Sequence, residues 1–237
     1  MNVGDAYRHA VYFAPRPEHP LWVAGCSWLG RDATRADDLR PPARTQVGEP
    51  WRYGFHGTLK APLRLVGSHD EWLQAVAALA ARTRRFSMPS LRVDWLGDFI
   101  ALMPVQPLGG EHPLEQLADA CVLELERFRQ KSEPELGPRR QAFDLSQRQR
   151  DHLQRYGYPF VLEDWRFHMT LSNGLAELDA QEQVGLKAQA RDHFAAGLFE
   201  LLVCDSLCIF VEAEQGAPFV LSHRFDLAMD QHLNDRR

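Results

Sequence analysis

Arg52-Tyr53-Gly54-Phe55-His56-Gly57-Thr58-Leu59-Lys60-Ala61-Pro62 carries the pattern on which the reading of this chain turns. Its core, Phe55-His56-Gly57-Thr58-Leu59, returns 112 residues later as Phe167-His168-Met169-Thr170-Leu171. The 237 residues include ten histidines and five threonines, for which random placement gives roughly 0.2 His-x-Thr triplets. Two occur, each preceded by Phe and followed by Leu. On a strand, residues i and i+2 point to the same face. His56 and Thr58 are therefore expected to project together, with Phe55, Gly57 and Leu59 turned into a core. The same parity sets His168 and Thr170 against Phe167, Met169 and Leu171.

The surroundings of the two copies match in layout. Each is followed by a loop, an amphipathic helix and a pair of strands. Asp94-Trp95-Leu96 lies 38 residues after His56, and Asp205-Ser206-Leu207 lies 37 after His168. The expectation is one bilobal domain over residues 1–237, internally duplicated, with motifs at 56–59 and 168–171 and a cleft between the halves.

Elsewhere, β-formers predict a strand over 8–14, ended by Pro15 and Pro17. A helix is expected to open at Pro20 and run to about Arg31. Residues 32–50 read as loop and 53–66 as extended. Apolar residues at helical spacing predict helices over 70–85 and 113–130, and Ser146 begins another that runs to about Tyr156, stopped by Gly157 and Pro159. A hairpin is expected around Gly97-Asp98. Residues 160–171 read as extended. Asp179 is expected to cap a helix reaching about Ala196, stopped by Gly197. Strands over 200–211 and 219–227 follow, with a turn near Gln215-Gly216. Mixed helices and frequent hairpins imply an α+β fold with mostly antiparallel sheets.

Composition bounds the rest. Hydrophobic residues make up 45% and charged residues 25%, as in soluble globular chains. No apolar run approaches the ~20 residues of a membrane helix, and the N-terminus lacks a secretory pattern. The net charge of −5 argues against extended nucleic acid as partner. Cys26, Cys121, Cys204 and Cys208 show no metal-binding spacing and read as reduced, mostly buried cytosolic thiols.

If the two motif strands lie side by side, two imidazoles and two hydroxyls converge. Imidazoles near neutral pKa divide general base and general acid work. Threonine hydroxyls donate to the non-bridging oxygens of a phosphate. That set suits metal-independent cleavage of a phosphodiester by His56, Thr58, His168 and Thr170. No Asp or Glu follows either histidine at a ligand spacing, and threonine is a poor zinc ligand, so neither metal nor cofactor is expected. Strand parity adds Arg52, Lys60, Arg166 and Ser172 as candidates facing the cleft, unless a bulge intervenes. The basic members suit a second phosphate; the alternative is that they reach solvent. Arg139 and Arg140 read as a solvated loop, with closure over a phosphate as the alternative. Arg82, Arg84 and Arg85, ending a helix, read as structural, and Tyr12 and Tyr158 as core packing.

In these residues the chain resembles the 2H phosphoesterase superfamily, defined by paired His-x-Thr/Ser-x motifs on the strands of a bilobal, pseudo-two-fold α+β fold. Residues 52–62 and 166–171 further resemble the signatures of an uncharacterised-domain subgroup associated with phosphonate (carbon–phosphorus lyase) operons. Gly57, where alanine is expected, departs from that pattern on the face away from the cleft. The resemblance implies a cytoplasmic hydrolase opening a small cyclic phosphate. Its preferred substrate is 5-phosphoribosyl 1,2-cyclic phosphate, within phosphonate metabolism. Two alternatives stand: an enzyme of RNA or nucleotide 2′,3′-cyclic or 2′–5′ ends, and a non-catalytic nucleotide or sugar-phosphate binding protein. The partner is in each case a small phosphorylated sugar or nucleotide.

Overall fold

The continuous apolar runs of two strands place them at the centre of the larger sheet, since strands buried on both faces lose the polar half of their alternation. These are β1 (Arg8–Phe13, RHAVYF) and β8 (Ser206–Glu212, SLCIFVE). They pair antiparallel in the order β2-β1-β8-β9, with β2 (Gly57–Leu63) and β9 (Phe219–Asp226) at the edges. A computed structural model describes residues 6–131 and 145–229. It contains a second antiparallel sheet of β4 (Leu91–Leu96), β5 (Phe99–Pro104) and β6 (Met169–Thr170), in that order. Two short strands, β3 (Phe86–Ser87) and β7 (Val203–Cys204), pair with each other. This is the expected α+β arrangement of antiparallel sheets.

Among the described residues, six helices pack around the sheets: α1 (Pro20–Leu29), α2 (Gly48–Tyr53), α3 (His69–Arg82), α4 (Pro113–Glu124), α5 (Gln147–Tyr156) and α6 (Ala180–Phe199). Their starts follow from local chemistry. Ser146 and Asp179 each form a capping box, with Gln149 and Glu182 answering three residues later. Proline opens α1 and α4, where its missing N–H costs nothing. No helix among the described residues is long and apolar enough to cross a membrane.

The order after each motif repeats: β2, α3, β3, β4, β5, and then β6, α6, β7, β8, β9. The pairing exchanges partners. The β4–β5 hairpin, which follows the first motif, pairs with β6 of the second. The β8–β9 hairpin, which follows the second, completes the sheet holding β2.

Three expectations change. Residues 48–53 form α2, so the extended segment starts only after Gly54, whose φ of 77° is open to glycine and costly to other residues. Of residues 160–171 only Met169–Thr170 pair as strand; a single turn occupies Leu162–Asp164. Gly197 lies inside α6, which continues to Phe199. A Cβ there would stand 2.9 Å from the Leu21 backbone, so this glycine permits close packing of α6 on α1.

All four cysteines are free thiols, three of them buried. Burial pushes the Cys121 thiol up to about 12 and Cys208 to about 11.

Candidate active site

The first motif begins one residue before β2. The left-handed turn at Gly54 aims the chain so that His56 Nδ1 lies 2.9 Å from the Gly54 carbonyl oxygen. A carbonyl oxygen only accepts, so Nδ1 carries the proton. His56 Nε2 is thereby left as an acceptor, 3.1 Å from Thr58 Oγ1. The second motif repeats this device. His168 Nδ1 lies 2.8 Å from the Arg166 carbonyl oxygen, again two residues back. In both motifs the backbone selects the same tautomer and leaves Nε2 as the acceptor nitrogen.

The alternation expected from the sequence is present. Phe55, Leu59, Phe167, Met169 and Leu171 are buried in the core, and the motif histidines and threonines are half-buried. The two strands meet. The Trp165 indole N–H, just ahead of the second motif, donates to the Thr58 carbonyl at 3.0 Å. The Phe167 ring fills the space beside Gly57, where a Cβ would stand 2.5 Å from it. The glycine is thus the counterpart of this phenylalanine's size.

His56 rests flat on Tyr12, with Tyr53 and Phe210 each 6.2 Å from its centroid. Burial lowers its pKa to about 4, opposed by the Gly54 bond and reinforced by the nearby positive charge of protonated His168. The two imidazoles are therefore close enough to sense each other's charge. His56 is neutral at pH 7, in the state a general base requires.

The remaining candidates divide. Arg52, at the end of α2, pairs with Glu212 and lies 5.5 Å from the Tyr53 ring centroid. Arg166 is exposed, and its carbonyl orients His168. Lys60 does not share the face of Thr58. Tyr12 pairs with Thr58 and Val11 with Lys60, so one extra residue bulges in β2 and reverses parity. The ammonium is buried instead beneath α4, donating to the Val122 carbonyl and to Glu126 Oε2, both at 3.1 Å. Ser172 also leaves the predicted face. It is fully buried, its hydroxyl accepting from Ile100 N–H and donating to the Asn173 carbonyl, each at 2.9 Å. Arg139 and Arg140 lie outside the described residues. Tyr158 packs on the small cluster of Val122, Tyr156 and Val161.

Sequence reasoning missed the partners that other elements supply. Tyr12 was expected in the core and is buried there, but as the platform for His56. Arg31, also buried, donates to the Trp51 carbonyl at 3.0 Å, to that of Arg52 at 3.3 Å, and to that of Phe219. It ties the end of α2 to β9 and so fixes the approach to Gly54. Burial lowers its pKa to about 10, so it remains charged at neutral pH. Among the described residues, no group of three or more His, Cys, Asp or Glu stands where it could hold a metal ion.

The model of the family described as "Protein of unknown function (DUF1045)" matches residues 58–220. The chain belongs to this family. The match runs from Thr58 into β9 and contains the whole second motif. Among curated proteins, the chain is 38% identical over 229 residues to a ribose 1,5-bisphosphate phosphokinase PhnN of Janthinobacterium sp. (strain Marseille). The match covers 90% of this chain and 49% of that protein. The corresponding protein of Laribacter hongkongensis (strain HLHK9) is 34% identical over 222 residues, with 90% and 50% covered. The chain thus spans about half the length of the curated relatives it matches. Among solved structures, E. coli LigT complexed with 3′-AMP is similar at a TM-score of 0.45 and 16% identity, covering 93% of this chain and 98% of that one. Kluyveromyces marxianus Usb1 is similar at 0.40 and 11%, covering 94% and 99%.

Proposed function

We propose that the protein is a metal-independent cyclic phosphodiesterase of the 2H phosphoesterase superfamily, acting in the cytoplasm without a cofactor. The observation that carries this reading is the pair of imidazoles. Each is locked by a backbone carbonyl into the same tautomer, each has a threonine two residues on, and the two lie within range of each other's charge. Burial keeps His56 neutral, so His56 Nε2 takes the proton of an attacking water as its oxygen bonds to phosphorus. The ring P–O bond breaks, its electron pair goes to the leaving oxygen, and His168 Nε2 delivers the proton that oxygen needs. Thr58 and Thr170 donate to the non-bridging oxygens.

The preferred substrate is 5-phosphoribosyl 1,2-cyclic phosphate, in phosphonate metabolism. Breaking the bond to O2 leaves the phosphate on O1 and yields ribose 1,5-bisphosphate. That is the compound in the printed name of the relatives, which are twice as long as this chain, and this supports the choice. The kinase activity in that name is not assigned to this chain. No lysine here follows a glycine, so the phosphate-binding loop of many ATP-using kinases has no counterpart in it.

Phosphorus NMR with a panel of cyclic phosphates tests the reading. Selective loss of the ribose 1,2-cyclic signal, with appearance of the 1,5-bisphosphate, is expected. His56→Ala and His168→Ala are each expected to slow it by 10²–10⁴-fold. Turnover confined to 2′,3′-cyclic nucleotides would replace the substrate assignment with RNA or nucleotide end processing. Binding with no turnover across the panel would overturn the catalytic reading.

A further inference from the structure

Glu212 ends β8 with its carboxylate fully buried, and two arginines reach it from different elements. Arg8 stands directly opposite in the β1–β8 ladder and donates from Nε to Oε2. Arg52 donates from an Nη to Oε1, to which the Gly216 N–H also donates at 2.8 Å. The carboxylate accepts three hydrogen bonds, but the charges do not cancel. Two guanidinium ions face one carboxylate, leaving one positive charge in excess. Among the described residues Arg8 has no other ion pair, and Arg52 adds only the Ala217 carbonyl at 3.4 Å. The Nη groups of Arg8 and the second Nη of Arg52 are donors this network does not use. Both side chains retain some solvent access, 17% for Arg8 and 31% for Arg52.

The cluster borders His56. Arg8, Ala10 and Tyr12 alternate onto one face of β1, and Tyr12 carries the His56 ring. The Arg8 guanidinium lies 5.6 Å from the Phe219 ring centroid, and that ring stacks on Tyr53 at 5.1 Å. Tyr53 is the common wall, with the Arg52 guanidinium 5.5 Å and the His56 ring 6.2 Å from its centroid. One tyrosine ring thus neighbours both the guanidinium cluster and the His56 imidazole. Planar guanidinium groups held on a buried carboxylate are pre-oriented for the oxygens of a phosphate monoester.

We propose that Arg8 and Arg52, braced by Glu212, bind a second phosphate of the substrate, a monoester remote from the bond that is cleaved. The proposal rests on the phosphodiesterase reading above and gives it a basis for choosing doubly phosphorylated substrates.

Two measurements separate the subsite from the reaction. The first is the ratio of kcat/KM for 5-phosphoribosyl 1,2-cyclic phosphate to that for ribose 1,2-cyclic phosphate. Arg8→Gln is expected to lower that ratio about 10- to 100-fold, chiefly through KM, as loss of a charge-assisted hydrogen bond does. Arg8→Lys is expected to fall between. Because Arg8→Gln leaves Glu212 short of a partner, the double variant Arg8→Gln/Glu212→Gln is measured beside it and is expected to lose the same discrimination. An unchanged ratio in both variants overturns the proposal. The second is calorimetric binding of ribose 5-phosphate. Weakening by Arg8→Gln but not by His56→Ala supports the subsite even if no cyclic phosphate is turned over. Weakening by neither overturns it, even if the reaction stands.

Discussion

The Tyr12 ring lies against the His56 imidazole with centroids 3.8 Å apart and planes inclined by 23°. The contact joins β1 to the residue just ahead of β2. It closes one face of the imidazole to water, and burial is the main cause of its lowered pKa.

This stack is open to test through the pH–rate profile. A base with a pKa of about 4 places the acid limb of kcat/KM near pH 4 rather than near 6.5. Tyr12→Phe keeps the stack and is expected to leave that limb in place. Tyr12→Ala admits water and is expected to move it upward, with an overall stability loss of about 3–5 kcal/mol. An acid limb near 6.5 in the unaltered protein would contradict the neutral-base assignment.

A second pH effect concerns stability. His9 is fully buried on β1, and neither ring nitrogen has a hydrogen-bond partner among the described residues. Burial, with the charges of His69 and His223, lowers its pKa to about 4. The unfolded chain protonates near 6.5 and the folded chain only near 4, so the unfolded state binds the extra proton between these values. Stability is therefore full above pH 6.5, falls as pH drops toward 4, and is lower by on the order of 3 kcal/mol below it. Urea unfolding between pH 8 and 4 measures the slope. His9→Leu is expected to reduce it, leaving the share of His56, whose pKa is lowered likewise.

Gly57→Ala places a methyl group 2.5 Å from the Phe167 ring. The strain is expected to cost about 1–3 kcal/mol. Phe167→Leu relieves the clash, so a double-mutant cycle should show strong favourable coupling. Additive losses would mean that the two motif strands are not in contact at this point.

Lys60 offers the converse test. Beneath α4 and paired with Glu126, it is a structural cation. Removing one partner of a buried pair costs about 3–5 kcal/mol. Here Glu126 keeps Arg129 at 2.6 Å, so Lys60→Met is expected at or below the lower end. KM is expected to stay within about twofold, and a large rise in KM would restore Lys60 to the substrate-binding face.

The sequence made visible what depends on neighbouring residues and obscured what depends on pairing. The burial of Phe55, Leu59, Met169 and Leu171 follows from strand parity alone. Helix starts at Pro20, Ser146 and Asp179 follow from capping chemistry. Lys60 was misplaced because the bulge at Leu59 arises from the register with β1, which is distant in sequence. Ser172 was misplaced because the chain leaves β6 at Thr170, and its hydroxyl closes on the Ile100 amide of another strand. Residues 48–53 read as loop and strand because a six-residue helix has little intrinsic stability; Arg31 secures its end through three carbonyls. Arg8 carries no local signal. Its ion pair emerges only when β8 brings Glu212 opposite.

The exchange of hairpins between the two sheets has a consequence for how the paired imidazoles hold their spacing. Each histidine strand is docked on backbone donated by the opposite half: β6 on β5, and the β1–β2 pair on β8. A fragment ending before Trp165 would hold His56 but lack β8 and β9. Its complement would hold His168 but lack β4 and β5. Each fragment thus leaves unpaired strand edges that only the other fills. Mixed together, the two have reason to reassemble and regain the proposed activity; alone, each lacks both its partner histidine and the surface that sets the histidine it keeps.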